Sequence, residues 1–251
     1  MQRMKFRFPL LFILLALFAT NTFGQNDYND ELFRAYLSKD RDLWLATIKS
    51  QELSKTKNTF NNQLALINSY YGYVGWLLAE KKTDQAELYL DKGWDLLEQL
   101  SGKYPENATL MAYQGAWLGF EITMNSLKTV YLGPKSMKFI NQSLEKDPDN
   151  IQGLIEKGNA YYFMPASFGG DKLKTLQLFK QALSLMKSSL QHQTNWQYLQ
   201  LQARVGIILS ETGQNQKAIE HYQSLLKSYP DFIWVRDELY PDLLSKMSPS
   251  Q

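Results

Sequence analysis

The residues best able to do chemistry in this 251-residue chain stand together in Tyr161-Tyr-Phe-Met-Pro-Ala-Ser-Phe-Gly-Gly-Asp171. Pro165, Gly169, Gly170 and Asp171 are the types that end one helix, turn the chain and start another. Met164 precedes a proline and is thereby pushed out of the helical region. The paired glycines admit positive φ, and Asp171 is placed to cap a following helix. Free backbone N–H groups at such a helix start can seat an anion. The same residues also support a plainer reading, in which the Asp171 carboxylate takes those donors itself and repels an anion. The cap alone accounts for the residue type, so the segment reads first as a structural loop. Tyr162 and Phe163, at the end of the helix before it, are the binding candidates it leaves.

Elsewhere the types needed for catalysis are scattered. His192 and His221, the only histidines, fall in different segments, and spacing gives neither the carboxylate partners of a metal site. No Ser–His–Asp order, glycine-rich phosphate loop or close carboxylate pair stands out. The chain has no cysteine, which excludes disulfides, thiolate metal sites and a lipidated N-terminal cysteine. The expectation is a protein without catalytic residues, metal or cofactor.

The N-terminus adds a compartment. Arg3, Lys5 and Arg7 precede an apolar run, Pro9–Ala19, and a polar stretch ending at Gly24. This is the pattern of a cleaved secretory signal peptide over residues 1–24, and the run is about half the ~20 residues that span a bilayer. An uncleaved anchor is the alternative. Those three basic residues account for the excess of Lys+Arg (27) over Asp+Glu (25), so the chain after Gly24 carries a net charge of −1. A neutral chain without a basic stripe argues against nucleic-acid binding. Periplasmic location is expected, with secretion as the alternative.

From Leu64 to Leu244 the apolar pattern is helical, without any alternating strand. Asp30 and Asp40 read as N-caps of two opening helices, and Asp84 with Glu87 as a capping box. Pro105-Glu-Asn107, Pro148-Asp-Asn150 and Pro230-Asp231 each close one run and open the next, at intervals of 43 and 82 residues, the second close to twice the first. A period near 40 signals a stacked array. In the last unit, counted from Leu199, Gly206 is at position 8, Leu209 at 11, Gly213 at 15, Ala218 at 20, Tyr222 at 24 and Pro230 at 32. This resembles the tetratricopeptide repeat, a helix–turn–helix of ~34 residues. The resemblance implies an all-α, right-handed superhelix of about four hairpins over 64–105, 107–148, 150–192 and 198–230, in one domain spanning 25–251. Five extra residues within the stretch Tyr161–Asp171 become an insertion in the third unit, and Asn125–Pro134 a connection longer by nine in the second.

Carrying over the repeat's groove positions gives Tyr71, Gly75 and Leu78; Ala112, Ala116 and Phe120; Ile155, Asn159, Tyr162 and Phe163; and Gln200, Ala203, Ile207 and Glu211. Of these, Tyr71, Phe120, Asn159, Tyr162 and Phe163 are the candidate binding residues. The surface is neutral and aromatic, without the lysines and arginines that clamp a peptide carboxylate. Pro165-Ala-Ser-Phe-Gly-Gly-Asp171 followed by Leu178-Phe-Lys-Gln-Ala-Leu183 more narrowly resembles the TatT-like periplasmic helical-repeat components of TRAP-type transporters. The function these resemblances imply is an exported, non-catalytic scaffold that holds a protein or peptide in its concave groove. The alternative is a transport accessory that binds a small apolar ligand.

Overall fold

A computed structural model describes residues 25–188 and 190–247. The leader expected at residues 1–24 lies outside them. The chain forms helices α1 (Gln25–Leu37), α2 (Arg41–Leu53), α3 (Phe60–Ala79), α4 (Thr83–Lys103), α5 (Ala108–Met124), α6 (Thr129–Lys146), α7 (Ile151–Phe163), α8 (Lys172–Lys187), α9 (Trp196–Glu211), α10 (Asn215–Ser228) and α11 (Tyr240–Met247). No strand occurs among the described residues. Helices α3–α4, α5–α6, α7–α8 and α9–α10 pack as four antiparallel hairpins, each stacked on the next, and α1–α2 pair in the same way before them. This is the all-α helical-repeat superhelix that the periodicity predicts.

Local chemistry sets most boundaries. Asp40, Thr59, Asn107, Asn150, Asp171 and Asn195 each accept a hydrogen bond from a backbone N–H in the first turn of α2, α3, α5, α7, α8 and α9. Each such cap is worth about 1 kcal/mol where it has been measured on protein helices. Gly213 takes φ +74° and ends α9 in the left-handed conformation. Small residues then let the hairpins close. A Cβ at Gly206 would lie 2.1 Å from the Tyr222 ring, and one at Gly158 would lie 2.4 Å from Phe179.

Three local expectations fail. Asp30 lies inside α1, which begins five residues earlier at Gln25. Helix α4 begins at Thr83 with Lys82 at its cap position and no side-chain cap bond, so Asp84 and Glu87 form no capping box. The second connection is short, because Ser126–Lys128 forms a 3-10 turn that runs directly into α6 and places Pro134 within that helix. Pro134 is the sixth residue of that helix, past the four whose N–H groups have no intrahelical acceptor, so the Val130 carbonyl lacks its usual donor there.

The core divides into two clusters, and α1 joins them. Leu32 and Ala35 pack with Trp44, Ile48, Ile67 and Trp196 in the N-terminal cluster. Phe33 packs with Tyr198, Leu201, Phe232 and others in the C-terminal cluster. Helix α1 therefore touches both α3 and α9. Lys39 also pairs with Glu238, 199 residues away. The inner helices α1, α3, α5, α7 and α9 thus close into a ring, and the concave face looks inward onto its own first helix.

Candidate functional site

The centre of the ring is filled by aromatic side chains. Trp44 and Trp196 meet edge to face at 5.0 Å, with Tyr36 at 5.8 Å from Trp196. The Trp44 Nε1 donates to the Ser69 carbonyl at 3.0 Å and the Trp196 Nε1 to Asn68 Oδ1 at 2.8 Å, so neither indole N–H is left unsatisfied. Gly72 is what lets this pair approach α3, since a Cβ there would fall 2.4 Å from Trp44 and 2.9 Å from Trp196.

A polar chain runs through this apolar interior. Gln197 Nε2 donates to Gln152 Oε1 at 2.9 Å, and Gln152 Nε2 to Glu156 Oε1 at 2.7 Å. Asn159 Nδ2 donates to the other Glu156 oxygen at 3.1 Å and to the Tyr71 hydroxyl at 3.3 Å. Arg204 Nη1 donates to Asn159 Oδ1. The guanidinium carbon then stands 5.1 Å from the Tyr162 ring centre, 5.4 Å from Phe163 and 4.9 Å from Phe179. Helix geometry makes this possible: residues 152, 156 and 159 are spaced by four and three and lie on one face of α7.

Burial dominates the charge states here. It pushes the Glu156 carboxyl up from its ordinary range, against hydrogen bonds from Tyr71, Asn159 and Gln152 and the positive charge of Arg204. It also lowers Arg204, opposed by the nearby tyrosines and Glu156. The Tyr71 hydroxyl is pushed far up, first by burial and then by Glu156. The buried Nη2 of Arg204 has no hydrogen-bond partner among the described residues, so its positive charge is met mainly by aromatic faces.

The five candidate residues come together, with unequal access to solvent. Tyr71 is buried, 5.3 Å from Phe120 by ring centres and bonded to Asn159. Arg204 links Asn159 to Tyr162 and Phe163, whose rings meet at 4.9 Å. Tyr162 donates to Glu211 at 3.0 Å, and Phe163 is 73% exposed. Of the other groove positions, Ala112, Ala116, Ile155 and Ala203 are buried; Gly75, Leu78, Gln200 and Ile207 are half-buried; Glu211 is exposed. Much of the face that would hold an extended peptide is interior.

The loop 164–171 spends its own donors. Phe168, Gly169 and Gly170 donate backbone N–H groups to the carbonyls of Pro165, Ala166 and Pro165 at 2.9–3.1 Å, and Asp171 N–H to Tyr161 at 3.0 Å. The Asp171 carboxylate accepts from Leu173 and Lys174 N–H at 2.9 and 3.0 Å, and these backbone bonds, Lys174 first, hold its pKa below the ordinary value. Only Gly169 takes positive φ, +98°. Gly170 serves a different need, because a Cβ there would sit 1.8 Å from the Met164 carbonyl oxygen.

A cavity of about 520 Å³ opens at the end of the ring where α3, α5, α7 and α9 begin. Asn61, Asn68, Thr109, Tyr113, Asn150, Gln152, Asn195 and Gln197 line it from the N-terminal halves and caps of those four helices, with Asn29 from α1 and Asp147, Asp149 and His192 beside them. None of these polar residues was marked by the repeat pattern except as helix caps. Glu156 and Arg204 also escaped that pattern, because each stands one residue from a groove position, beside Ile155 and Ala203. His221 lies apart on α10, where its Nε2 bonds the Gln202 carbonyl at 2.7 Å and burial lowers its pKa. Among the described residues no group of three or more His, Asp or Glu side chains could hold a metal ion.

Comparison with solved structures now bears on this architecture. The chain superimposes on a thermophilic TPR protein of Thermus thermophilus with TM-score 0.50, at 13% identity, over 88% of this chain and all of the other. The fold is tetratricopeptide-like. A second match, the HusA haemophore from Porphyromonas gingivalis, has TM-score 0.52 at 15% identity and covers 74% of this chain and 92% of that one. Neither a family model nor a curated protein matches the sequence. At such identities the likeness is one of fold.

Proposed function

We propose that this chain is a non-catalytic binding module, exported by the leader-like segment 1–24, that holds a compact molecule rather than a long peptide. The observation that carries the reading is the closure of the ring. Helix α1 and the Trp44–Trp196 layer fill the middle of the concave face, and a 520 Å³ cavity opens to solvent at one end of it. That volume lies within the range of ordinary small-molecule sites, about 300–1,000 Å³. The two neighbours support a binding role in general terms, since one is described as a haemophore and the other as a TPR protein.

Native mass spectrometry of protein purified from its host tests this reading. The expected result is a retained small molecule, lost from an Ala65→Trp variant in which the new ring fills the cavity. A protein that is empty in both forms and binds no compact probe would overturn it.

A second reading keeps the protein-scaffold role. Phe163 (73% exposed), Phe168 (77%) and Leu173 (56%) form an apolar edge around the 164–171 loop, where a partner could dock. A transport-accessory role would require that partner to be a TRAP-type subunit. Crosslinking to one defined polypeptide that is lost in Phe163→Asp would support the scaffold.

A further inference from the structure

Resting on the cavity reading above, we propose that the cavity is a seat for a neutral, polyhydroxylated molecule of the size of a di- or trisaccharide. The lining is unusual for a small-molecule site, which is ordinarily apolar with a few polar groups. Here seven side-chain amides converge: Asn29, Asn61, Asn68, Asn150, Asn195, Gln152 and Gln197. An amide offers a carbonyl acceptor and two N–H donors, which matches a hydroxyl that both gives and takes a hydrogen bond.

Several of these groups are held in place by one bond while retaining capacity for another. Asn68 donates one Nδ2 proton to the Tyr113 hydroxyl at 2.7 Å and accepts from Trp196, so its orientation is set while a second N–H remains. Tyr113 accepts there and keeps its own proton to donate. Gln197 uses one Nε2 proton on Gln152, and Gln152 is fixed in turn by Glu156. Bonds of this kind orient a polar wall before a ligand arrives, which lowers the ordering cost of binding.

Charge narrows the class further. No lysine or arginine lines the cavity, while Asp147 and Asp149 do. A phosphate or carboxylate would lose its hydration there without a cation to replace it, and would face two like charges. Asp147 and Asp149 can instead accept from hydroxyls. A flat apolar ligand would fare no better, because Leu64, Ala65, Ile151 and Met186 supply the only aliphatic walls and the remaining N–H groups of Asn68 and Gln197 would be stripped of water without a new partner.

The test is isothermal titration of the full chain after Gly24 with four neutral oligosaccharides (maltotriose, cellobiose, lactose and diacetylchitobiose), and with hemin, palmitate and a tripeptide as contrasting probes. At least one oligosaccharide is expected to bind, with affinity reduced tenfold or more in Ala65→Trp and in Gln197→Met. Ala65→Trp removes no hydrogen bond, and unchanged circular dichroism would certify its fold. If hemin, palmitate or the tripeptide binds and is blocked by Ala65→Trp, the cavity is a site but the proposed class is wrong. Saccharide binding that survives Ala65→Trp moves the seat elsewhere and overturns the proposal. If no probe of any class binds, the proposal and the compact-ligand reading fall together.

Discussion

The loop 164–171 and the buried chain around Glu156 each place a carboxylate among hydrogen-bond donors, and they do opposite things with it. Asp171 sits at the surface, accepts from two backbone N–H groups of α8, and is held below its ordinary pKa. Glu156 accepts from side-chain amides inside the ring, yet burial drives its pKa up. A similar hydrogen-bond inventory thus yields contrary electrostatics, because water screens one site and is excluded from the other. The lesson concerns where chemistry hides. The stretch that looks most like a ligand cradle is a self-contained helix start, while the groups under electrostatic tension lie in unremarkable helical sequence.

Four changes would break or sharpen that contrast. The largest effect is expected from Trp196→Ala, which removes the indole joining α1, α2 and α3 to α9. The loss should be about 3–5 kcal/mol, as for other buried aromatics, and readable by chemical denaturation. An unchanged midpoint would refute the closed ring. Next comes Gly170→Ala, whose Cβ would collide with the Met164 carbonyl. Overpacking of this kind costs about 1–3 kcal/mol, and hydrogen exchange should show the opening confined to residues near 161–175.

Glu156→Gln should act with the reverse sign. A carboxyl whose folded pKa is raised holds its proton more tightly in the folded state, so its contribution is most favourable below the unfolded pKa and is lost as pH rises through the folded value. The glutamine variant is therefore expected to flatten the decline of stability that sets in as pH rises above the ordinary glutamate range. A steeper decline would mean that the buried charge is stabilised by its partners. The smallest effect belongs to Asp171→Ala. Its carboxyl is depressed, so the cap contributes above the unfolded pKa and fades as pH falls through the folded one. The variant should melt slightly lower at neutral pH and converge with the parent in acid.

How much was legible follows from range. Helix caps at Asn107, Asn150 and Asp171 are local, and each was readable within a few residues. The repeat was readable because Gly206 and Tyr222 must fit each other within a single hairpin. Helix α1 was legible as a helix but not as the piece that closes the ring, since nothing in Phe33 or Tyr36 announces partners at Tyr229 and Phe232. The same holds for the cavity: its amides are spread over four helices and read individually as caps or surface residues. The register carried over from the repeat reached Ile155 and Asn159 but passed over Glu156, and reached Ala203 but passed over Arg204. A charged side chain one residue off an apolar stripe reads as exposed until its neighbours in space are known.

The closure made by α1 has a consequence for the order of events during synthesis. Among the described helices this one emerges first, yet one of its faces has no partner until α9 and Phe232 have been made. The pairing of Lys39 with Glu238 across 199 residues is among the last contacts the chain can form. Contacts between such distant parts of a chain slow folding. The hairpins between them can zip in sequence, each onto the one before, while α1 waits. Ring closure is then the step that reports a complete chain, and a nascent chain ending before Trp196 leaves the Phe33 face of its first helix bare.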